Sequence, residues 1–423
     1  MQSSGLLRRG FRPQVSISVF IQARRGLSAC LVLSDGSIRV DNYDGPTGPT
    51  LPPPGPGRVT VKLVAAPCTP VDLRTLATAA SAAAADPSSR TETDTLALHS
   101  NSSTPSQRSP SSTPHSPSPP HHLSNLTFPF VGGSEGLWEV IAKGDGVSEL
   151  RPGNLAVPAM MPAPRNAPGA GSGSRVGNAL SPPEEESGMW RTAATLAEAS
   201  LVRVPMEIGV GGGGWREVAV AAHCSSSVST AIRILEDFAE KELGAGDPVV
   251  FTGASSAVAQ ILLQLAALRG LESVCLVNSD AEAALALKLG ARKAPLLKEF
   301  KAMRMDNALM VADGEGGVLG FTAARALRFR GCYVSYADVS GGGVSLPVAG
   351  QIFRDTKCRG FSLSRWASTR LAMESRELVR RSVATALAAQ LRLEETREFD
   401  LNEAVAAIET ARTPGGPVIL RGG

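Results

Sequence analysis

The sequence predicts an α/β protein with a β-rich first half and a parallel α/β second half. Three observations predict this class. A strand–turn–helix–strand unit of about thirty residues, the size of a βαβ unit, runs from Asp247 to Asp280. Short apolar segments separated by glycine turns precede this unit, and helix and strand patterns alternate after it.

The βαβ unit is the segment around which the second half is predicted to fold. Pro248–Phe251 is a short apolar run, as expected of a strand buried on both faces. Small residues follow at 253–257, and Val258–Leu268 is an apolar helical segment ended by an Arg-Gly pair. Ser273–Val277 is the second strand. The free N–H groups at the start of such a helix can bind a pyrophosphate.

The turn departs from the usual dinucleotide fingerprint, G-x-G-x-x-G. Gly253 is its only glycine, and Ala257 and Ala259 stand at the later positions. Each added methyl group crowds the approach of a phosphate to the backbone. These residues alone leave two alternatives open: a cofactor-binding turn, and a turn of the same fold that binds nothing.

Composition excludes several classes of function. The 423 residues are enough for about two or three domains. A net charge of +3 gives no bulk attraction for nucleic acid, and no apolar run approaches the roughly 18 residues of a membrane span. The six cysteines are scattered without a C-x-x-C pair, and four of the five histidines lie in a low-complexity segment. The sequence therefore predicts no disulfide framework and no metal site.

The N-terminal segment has the composition of a mitochondrial targeting sequence. Residues 1–34 contain no acidic residue, and apolar side chains and serines recur between the basic ones. The arginines of this segment are Arg8, Arg9, Arg12, Arg24 and Arg25. We assign residues 1–27 to targeting and expect removal after Arg25 or a few residues later. The alternative is a mobile basic tail.

The rest of the first half is predicted to be a small, irregular β-barrel with two insertions. Strands are expected at Ser28–Leu33, Val59–Ala65 and Leu137–Ala142, with glycine turns near them. Residues of about 85–124 and 162–187 are rich in Ala, Ser, Pro, Thr and Gly. Such segments cannot bury enough apolar area to offset their ordering entropy, so both are predicted to be disordered.

Beyond the βαβ unit the pattern continues to alternate. Helices are predicted at Ala281–Leu289 and Val318–Arg330, and strands at Ala308–Ala312 and Cys332–Tyr336. Leu371–Leu393 is predicted to be one long amphipathic helix.

Specific strings resemble the mitochondrial trans-2-enoyl-CoA (enoyl-thioester) reductase family of the medium-chain dehydrogenase/reductase superfamily. They include VKLVAAPCTPVDL, FPFVGGSEGLWEVIAKGDGVSELRPGN, GMWRTAATLAEASLVRVP, GASSAVAQILLQLAALRG and IFRDTKCRGFSLSRW. The resemblance covers roughly residues 28–423 without the two insertions. GMWRT and RGFSLSRW in this order are not general features of the superfamily, so the match is specific.

The resemblance implies the fold and the domain limits. The fold class is α/β, with a GroES-like β-barrel catalytic domain plus a Rossmann dinucleotide-binding domain. The limits are residues 28–222 for the catalytic domain, 223–361 for the Rossmann domain and 362–423 for a return to the catalytic domain. The final strand, Pro417–Leu420, is expected to pack on the barrel. A homodimer is implied, with the dinucleotide domains paired edge to edge.

The resemblance also implies a chemistry. Members of this family reduce the trans-2 double bond of an acyl thioester on acyl carrier protein or coenzyme A, in mitochondrial fatty acid synthesis in the matrix. NADPH supplies hydride to the β-carbon, and a tyrosine hydroxyl stabilises the enolate or supplies a proton. No metal is needed.

This chain departs from the family at the tyrosine. The family residue lies between the VDL and FPFVGG strings, where this chain has its long insertion and no tyrosine. The tyrosines present are Tyr43, Tyr333 and Tyr336, and of these Tyr336 matches the cofactor side of the family site. We therefore assign no catalytic residue. Hydroxyl groups that could replace the tyrosine near the nicotinamide are those of Thr127, Ser134 and Thr192.

Cofactor contacts are carried over from the resemblance to sixteen positions, several of which hold a different residue type in this chain. They are Ser227, Ser255, Ser256, Ala257, Val258, Asn278, Ser279, Asp280, Tyr336, Ala337, Asp338, Val339, Phe361, Ser362, Leu363 and Ser364.

The charge at the ribose end is reversed relative to the family. Asn278 and Asp280 stand where the family has arginines that hold the 2′-phosphate of NADPH. An acid at this place normally accepts the ribose 2′-hydroxyl and repels a 2′-phosphate, which opens the use of NADH. The alternative for Asp280 is an ordinary helix N-terminal residue.

Three hypotheses about function follow. The first is an NAD(P)H-dependent enoyl-thioester reductase. The second is a catalytically impaired relative that keeps the fold as a binding or scaffold protein, for example for an acyl-carrier partner. The third is a quinone-reductase-like oxidoreductase, for which the tyrosine is dispensable. Loss of one enolate-stabilising donor typically costs roughly two to three decades in rate, so the first hypothesis predicts a slow enzyme.

Overall fold

The computed structural model of the chain describes residues 28–32, 38–42, 53–70, 72–73, 76, 130–159, 188–206, 214–239, 242–413 and 415–422. The expected targeting segment and both expected insertions lie outside these residues, as do Tyr43 and Thr127.

The first half is β-rich, as predicted. Its strands are β1 (Ser28–Val32), β2 (Ile38–Asn42), β3 (Arg58–Pro67), β4 (Phe130–Val131), β5 (Leu137–Lys143), β6 (Leu155–Pro158), β7 (Ala193–Ala197) and β8 (Leu201–Val204). β1 lies between β2 and β4 in a three-stranded sheet. The long strand β3 pairs antiparallel with both β5 and β7. Val59, Val61 and Leu63 alternate along β3 and are buried, because this strand lies across the core of the barrel domain.

The chain returns to this domain at its C-terminus. Strands β14 (Arg397–Asp400) and β15 (Val418–Arg421) complete a seven-stranded sheet in the order β14-β15-β3-β5-β6-β8, with β7 beside β3. Ile419 pairs with Pro67. The last strand of the chain therefore lies in the same sheet as β3.

The second half is a five-stranded parallel sheet in the order β10-β9-β11-β12-β13. Its strands are β9 (Pro248–Thr252), β10 (Glu272–Leu276), β11 (Ala308–Asp313), β12 (Leu327–Ser335) and β13 (Lys357–Gly360). Val249, Val250 and Phe251 on β9 are fully buried, because helices cover both faces of the sheet.

Ten helices of six or more residues are present in the described part of the chain. They are α1 (Trp215–Ala222), α2 (Ser229–Asp237), α3 (Ala257–Leu268), α4 (Asp280–Lys288), α5 (Leu297–Met303), α6 (Gly317–Ala324), α7 (Val348–Arg354), α8 (Leu363–Ser368), α9 (Ala372–Ala388) and α10 (Ala404–Ala411). A π-helical turn, Cys224–Val228, joins α1 to α2.

Two helix predictions need correction. The helix expected over Val318–Arg330 is α6, which ends at Ala324, and β12 begins at Leu327. Leu327 pairs with Ala308 on β11, so tertiary pairing overrides the apolar helical pattern of these residues. The long C-terminal helix is α9, which ends at Ala388 rather than continuing to 393.

The bent pair α1–α2 lies in the core between the two halves. Within the described ranges no single helix is long and apolar enough to cross a membrane. The bent pair of Trp215–Ala222 and Cys224–Asp237 meets that requirement, but by length and composition alone. Helix α9 packs on it, and the Ser229 and Ser382 hydroxyl oxygens lie 2.8 Å apart.

Candidate functional site

A cavity of about 1210 Å³ lies between the barrel domain and the carboxyl ends of the parallel strands. From the barrel domain it is lined by Cys68–Pro70 and by residues 415–418. From the other side it is lined by the π-helical turn and by the loops after β9, β10 and β11. Ligands of doubly wound sheets bind at this edge.

The turn after β9 has the geometry of an anion-binding turn. Gly253 has φ +69°, and α3 begins at Ala257 behind the N-cap residue Ser256. The Ser256 Oγ accepts a hydrogen bond from the Ala259 N–H at 3.2 Å. The first N–H groups of a helix have no partner within it, and Ser255, Ser256, Ala257 and Val258 all line the cavity.

The backbone conformation at position 253 favours glycine. Its positive φ disfavours any residue with a side chain. A Cβ at this position would also lie 2.3 Å from Glu315 Oε1. The Glu315 side chain therefore lies directly over the turn, and its other oxygen accepts a hydrogen bond from Asn278 Nδ2 at 3.3 Å.

The end of the cavity beside Asn278 is acidic. Glu282 Oε2 accepts a hydrogen bond from the Asn278 N–H at 2.9 Å. Burial and the neighbouring Glu282 raise the pKa of Glu315. Among the described lining residues the cations are Arg397 and Arg412, which come from the barrel domain. Arg397 is bonded to the 410–416 segment and therefore holds that wall.

One buried carboxylate fixes the loops that form this edge. Asp313, at the end of β11, accepts hydrogen bonds from the hydroxyl groups of Thr252 on β9 and Tyr333 on β12. It also accepts bonds from the N–H groups of Glu315 and Gly316, each at 3.1 Å. The carboxyl ends of three neighbouring strands are thereby joined at one side chain.

Most of the residues predicted to contact the cofactor line this one cavity; Asp280 and Asp338 do not. Asp280 is the first residue of α4, behind the N-cap Ser279. Asp338 instead accepts a hydrogen bond from the Gly343 N–H at 3.1 Å. Glu282 and Glu315 are the carboxylates that line the cavity beside Asn278.

Two of the hydroxyl groups considered as substitutes for the missing tyrosine belong to described residues, Ser134 and Thr192. Both are buried, and neither lines the cavity. The Thr192 Oγ1 accepts a hydrogen bond from the Ser28 N–H at 2.6 Å, which gives it a structural role. Tyr336 lines the cavity, and burial raises the pKa of its hydroxyl. Tyr333 is buried against Asp313.

A buried acid lies where the two domains meet. The domain seam is defined here as the contact of segment 134–136 with the π-helical turn. Glu135 is fully buried and accepts hydrogen bonds from the N–H of Ser226, at 3.0 Å, and from its hydroxyl. Burial raises the pKa of Glu135 to about 8, and the nearby Asp72 acts in the same direction. Glu135 is therefore protonated at neutral pH, while Ser226 lines the cavity.

His223 stands just before the π-helical turn and also lines the cavity. Its Nδ1 is 2.9 Å from the carbonyl oxygen of Ala219 and must donate to it. Burial lowers the pKa of His223 to about 4. The ring is therefore neutral at pH 7, and its Nε2 can accept but not donate a hydrogen bond.

Glu135, Ser226, Glu282 and Glu315 were not predicted from the sequence. The string VGGSEGLW holds one signal for Glu135. Its acid stands among glycines directly before an apolar strand, a place where charged residues are rarely buried, so burial there would point to a special role. The partner of that acid, Ser226, is 91 residues away, so sequence spacing could not reveal the pair.

The fold is shared with solved structures of reductases. A mutant form of enoyl thioester reductase from Candida tropicalis superposes with a TM-score of 0.64 at 16% identity, over 93% of this chain and 99% of that one. No protein-family model matches the sequence.

Curated proteins are similar to this chain in sequence. The enoyl-[acyl-carrier-protein] reductase, mitochondrial, of Homo sapiens is 27% identical over 298 residues, which are 68% of this chain and 71% of that protein. The protein of the same name from Arabidopsis thaliana is 30% identical over 262 residues, which are 59% of this chain and 61% of that protein. The chain is similar in sequence to mitochondrial enoyl-[acyl-carrier-protein] reductases, the similarity that its motifs predicted.

The raised pKa of Glu135 predicts a pH-dependent stability. In the unfolded chain this acid has its ordinary pKa of 4.5, and in the folded protein burial raises the pKa to about 8. Between these values the folded protein holds a proton that the unfolded chain has released. The Glu135 contribution to the free energy of unfolding is therefore fully present below the lower value and is lost as the pH rises through the upper one.

Comparison of the wild type with Glu135→Gln isolates this contribution. The free energy of unfolding, measured in urea, should fall between about pH 5 and about pH 9 by several kcal/mol more for the wild type than for the variant, because each pKa unit corresponds to roughly 1.4 kcal/mol. Glu377→Gln, at an exposed position on α9, is the control and should follow the wild type. An equal pH dependence of the free energy of unfolding for the wild type and Glu135→Gln would show that the pKa of Glu135 is not raised by folding.

Proposed function

We propose that this chain reduces trans-2-enoyl thioesters, carried on acyl carrier protein or coenzyme A, with a reduced nicotinamide dinucleotide. The observation that carries the proposal is the single cavity that joins an anion-binding turn at 253–258 to the domain seam. The names of the curated relatives support the substrate class.

The residues present fit the core of a dinucleotide. The start of α3 offers free N–H groups, and the side chains there are small enough for a pyrophosphate to approach the backbone. Phe361 and Leu363 supply apolar contacts on the wall of the cavity, and Ser227 and Tyr336 supply polar ones. When bound, the cofactor supplies hydride for the β-carbon of the substrate. The chain's own part is to bind both molecules, to exclude water and to stabilise the enolate.

Turnover of crotonyl-CoA tests the proposal. The chain without residues 1–27 should oxidise NADH or NADPH in the presence of crotonyl-CoA, and not with butyryl-CoA, which has no double bond to reduce. Ser255→Glu places a carboxylate at the pyrophosphate position and should weaken cofactor binding at least roughly 10-fold, by charge repulsion in a partly buried site. Ala302→Glu, at an exposed position on α5, adds the same charge elsewhere and should bind normally.

Three other outcomes separate the alternatives. Cofactor binding without turnover of any enoyl thioester would favour the scaffold hypothesis. Turnover of a quinone but not of crotonyl-CoA would favour the quinone-reductase hypothesis. If neither NADH nor NADPH binds at millimolar concentration, both oxidoreductase hypotheses are contradicted.

We further propose that the cofactor preference is shifted toward NADH. Support comes from Glu282 and Glu315, which contact Asn278 at the end of the cavity where a 2′-phosphate would need cations. A carboxylate accepts the hydroxyl groups of an unmodified ribose and repels a phosphate dianion.

Glu315→Gln tests this preference. Removal of one carboxylate should strengthen NADPH binding by roughly 5-fold, the equivalent of about 1 kcal/mol for one partly screened charge pair. The affinity for NADH should stay equal or fall, because the ribose loses an acceptor. Dissociation constants measured by fluorescence titration, with Glu377→Gln as the control, check the effect. A preference for NADPH in the wild type that Glu315→Gln leaves unchanged would refute the assignment.

We propose a mitochondrial location, in the matrix. The arginine-rich, acid-free composition of residues 1–34 and the mitochondrial designation of the relatives support it. N-terminal sequencing of the protein recovered from mitochondria is the check, and a retained Met1 would exclude removal after Arg25.

We propose that two copies pair through β13. All four residues of this edge strand are exposed, so its backbone groups can pair with a second strand. Helix α7 packs on β12 beside this edge and has no buried residue; Ile352 is 66% exposed and Phe353 77% exposed. A two-fold axis would bring this apolar surface against its own copy.

Phe353→Glu tests the pairing. The wild type should sediment as a dimer, and the variant should shift toward the monomer with dimer affinity reduced at least roughly 10-fold, since a buried unpaired charge is costly. Leu268→Glu is the control, because Leu268 is also exposed but lies at the end of α3. A monomeric wild type, or equal dimerisation of both variants, would contradict the proposal.

A further inference from the structure

We propose that Glu135 and Ser226 form a proton relay that takes the place of the missing tyrosine. The inference rests on the proposed reductase activity and names the residues that complete it.

The geometry connects a buried acid to the cavity through one hydroxyl group. Glu135 itself is fully buried and does not line the cavity. The Ser226 side chain lies between Glu135 and the cavity, and its hydroxyl is bonded to Glu135 Oε1. The Ser226 N–H is bonded to the other carboxyl oxygen, Oε2, at 3.0 Å, so the carboxyl group is held at both oxygens.

The surroundings keep a proton on Glu135 without preventing its release. Burial raises the pKa of Glu135 to about 8. The titratable groups around it are Asp72, which adds to the shift, and Cys224 on the π-helical turn, whose own pKa is raised by burial. The two bonds from Ser226 favour the carboxylate form and limit the shift. An acid with a pKa near the working pH is the form that general acid catalysis requires.

Other polar groups at the same wall are less suited to this role. His223 donates through Nδ1 to the Ala219 carbonyl and is neutral, so it has no proton to give at Nε2. The Thr69 hydroxyl donates to Asp72 at 2.7 Å, and Asp72 accepts a second bond from the Thr69 N–H at 2.8 Å. Burial raises the pKa of Asp72, and two bonds each from Thr69 and Ser134 oppose this shift. At Glu135 only the two bonds from Ser226 oppose burial, so Glu135 is the better proton source.

The step balances with one proton. After hydride has added to the β-carbon, the substrate is an enolate that needs a proton at its α-carbon. When Glu135 is protonated, the bond between its Oε1 and the Ser226 hydroxyl is reversed: Oε1–H donates to Ser226 Oγ, and the Ser226 O–H is free for the substrate. The Ser226 O–H bond breaks as the new C–H bond forms, and the proton of Glu135 passes to Ser226 Oγ. Glu135 is left as a carboxylate that accepts the Ser226 N–H, and one proton from the solvent in the cavity returns to it through Ser226. No further oxidant or reductant is involved.

The test uses the pH dependence of kcat with crotonyl-CoA at saturating cofactor. The wild type should lose activity as the pH rises through about 8, because Glu135 is then ionised. Glu135→Gln should lower kcat by about 100-fold or more, the usual contribution of a general acid, and should abolish this limb of the pH profile. Ser226→Ala should do the same, and Ser226→Thr, which keeps a hydroxyl group, should retain most of the activity.

Ser225→Ala is the matched control for disturbance of the π-helical turn. Ser225 is the neighbouring residue, is fully buried, and donates to the Pro158 carbonyl at 2.7 Å without lining the cavity. This variant should lose stability but keep the pH limb of the wild type.

Infrared difference spectra give a readout that does not depend on turnover. At neutral pH the wild type should show a carbonyl band of a protonated carboxylic acid that Glu135→Gln lacks and that disappears above about pH 8.

Each outcome bears on one proposal or both. Turnover by the wild type with an unchanged pH limb in Ser226→Ala would overturn the relay and leave the reductase intact. Absence of wild-type turnover at every pH would overturn the reductase and the relay together. If Glu135→Gln does not fold, the contrast between Ser226→Ala and Ser226→Thr decides.

Discussion

The carboxylate of Asp313 is the group on which the candidate site depends. It is fully buried and joins Thr252, Tyr333 and the loop after β11, so the ends of three parallel strands are held together. Hydrogen bonds to a charged acceptor contribute about 1.5–3 kcal/mol each, and a buried charge left without them is costly. This network fixes the loop that carries Glu315, and therefore the position of the carboxylate over the Gly253 turn.

A second constraint acts between the domains. The π-helical turn belongs to the helices that lead into the parallel sheet, yet Ser226 is bonded to Glu135 from the barrel domain, and Ser225 to Pro158. β15 then returns to the barrel beside β3, which places residues 415–418 on the same cavity. The cavity therefore exists only when the two domains are docked, and its chemistry comes from residues of both.

Sequence patterns predicted the elements whose environment is uniform along their length. Pro248–Phe251 was recognisable as a strand because both faces are buried, and α3 was recognisable because small residues precede an apolar helical run. The prediction over Val318–Arg330 was wrong in its second half. An apolar segment of this length satisfies a helix and a buried strand equally well, and the pairing of Leu327 with Ala308 decided between them.

The sequence by itself determined the fold class, the family motifs, the absence of the family tyrosine and the loss of cations near Asn278. Tertiary structure decided which charged groups take their place. Asp280 is the first residue of α4 and does not line the cavity, whereas Glu282 is bonded to Asn278 and Glu315 follows another strand. The Glu135–Ser226 pair joins residues 91 positions apart. Side-chain contacts between distant segments and the docking of the domains depend on long-range packing, and local sequence patterns do not predict them.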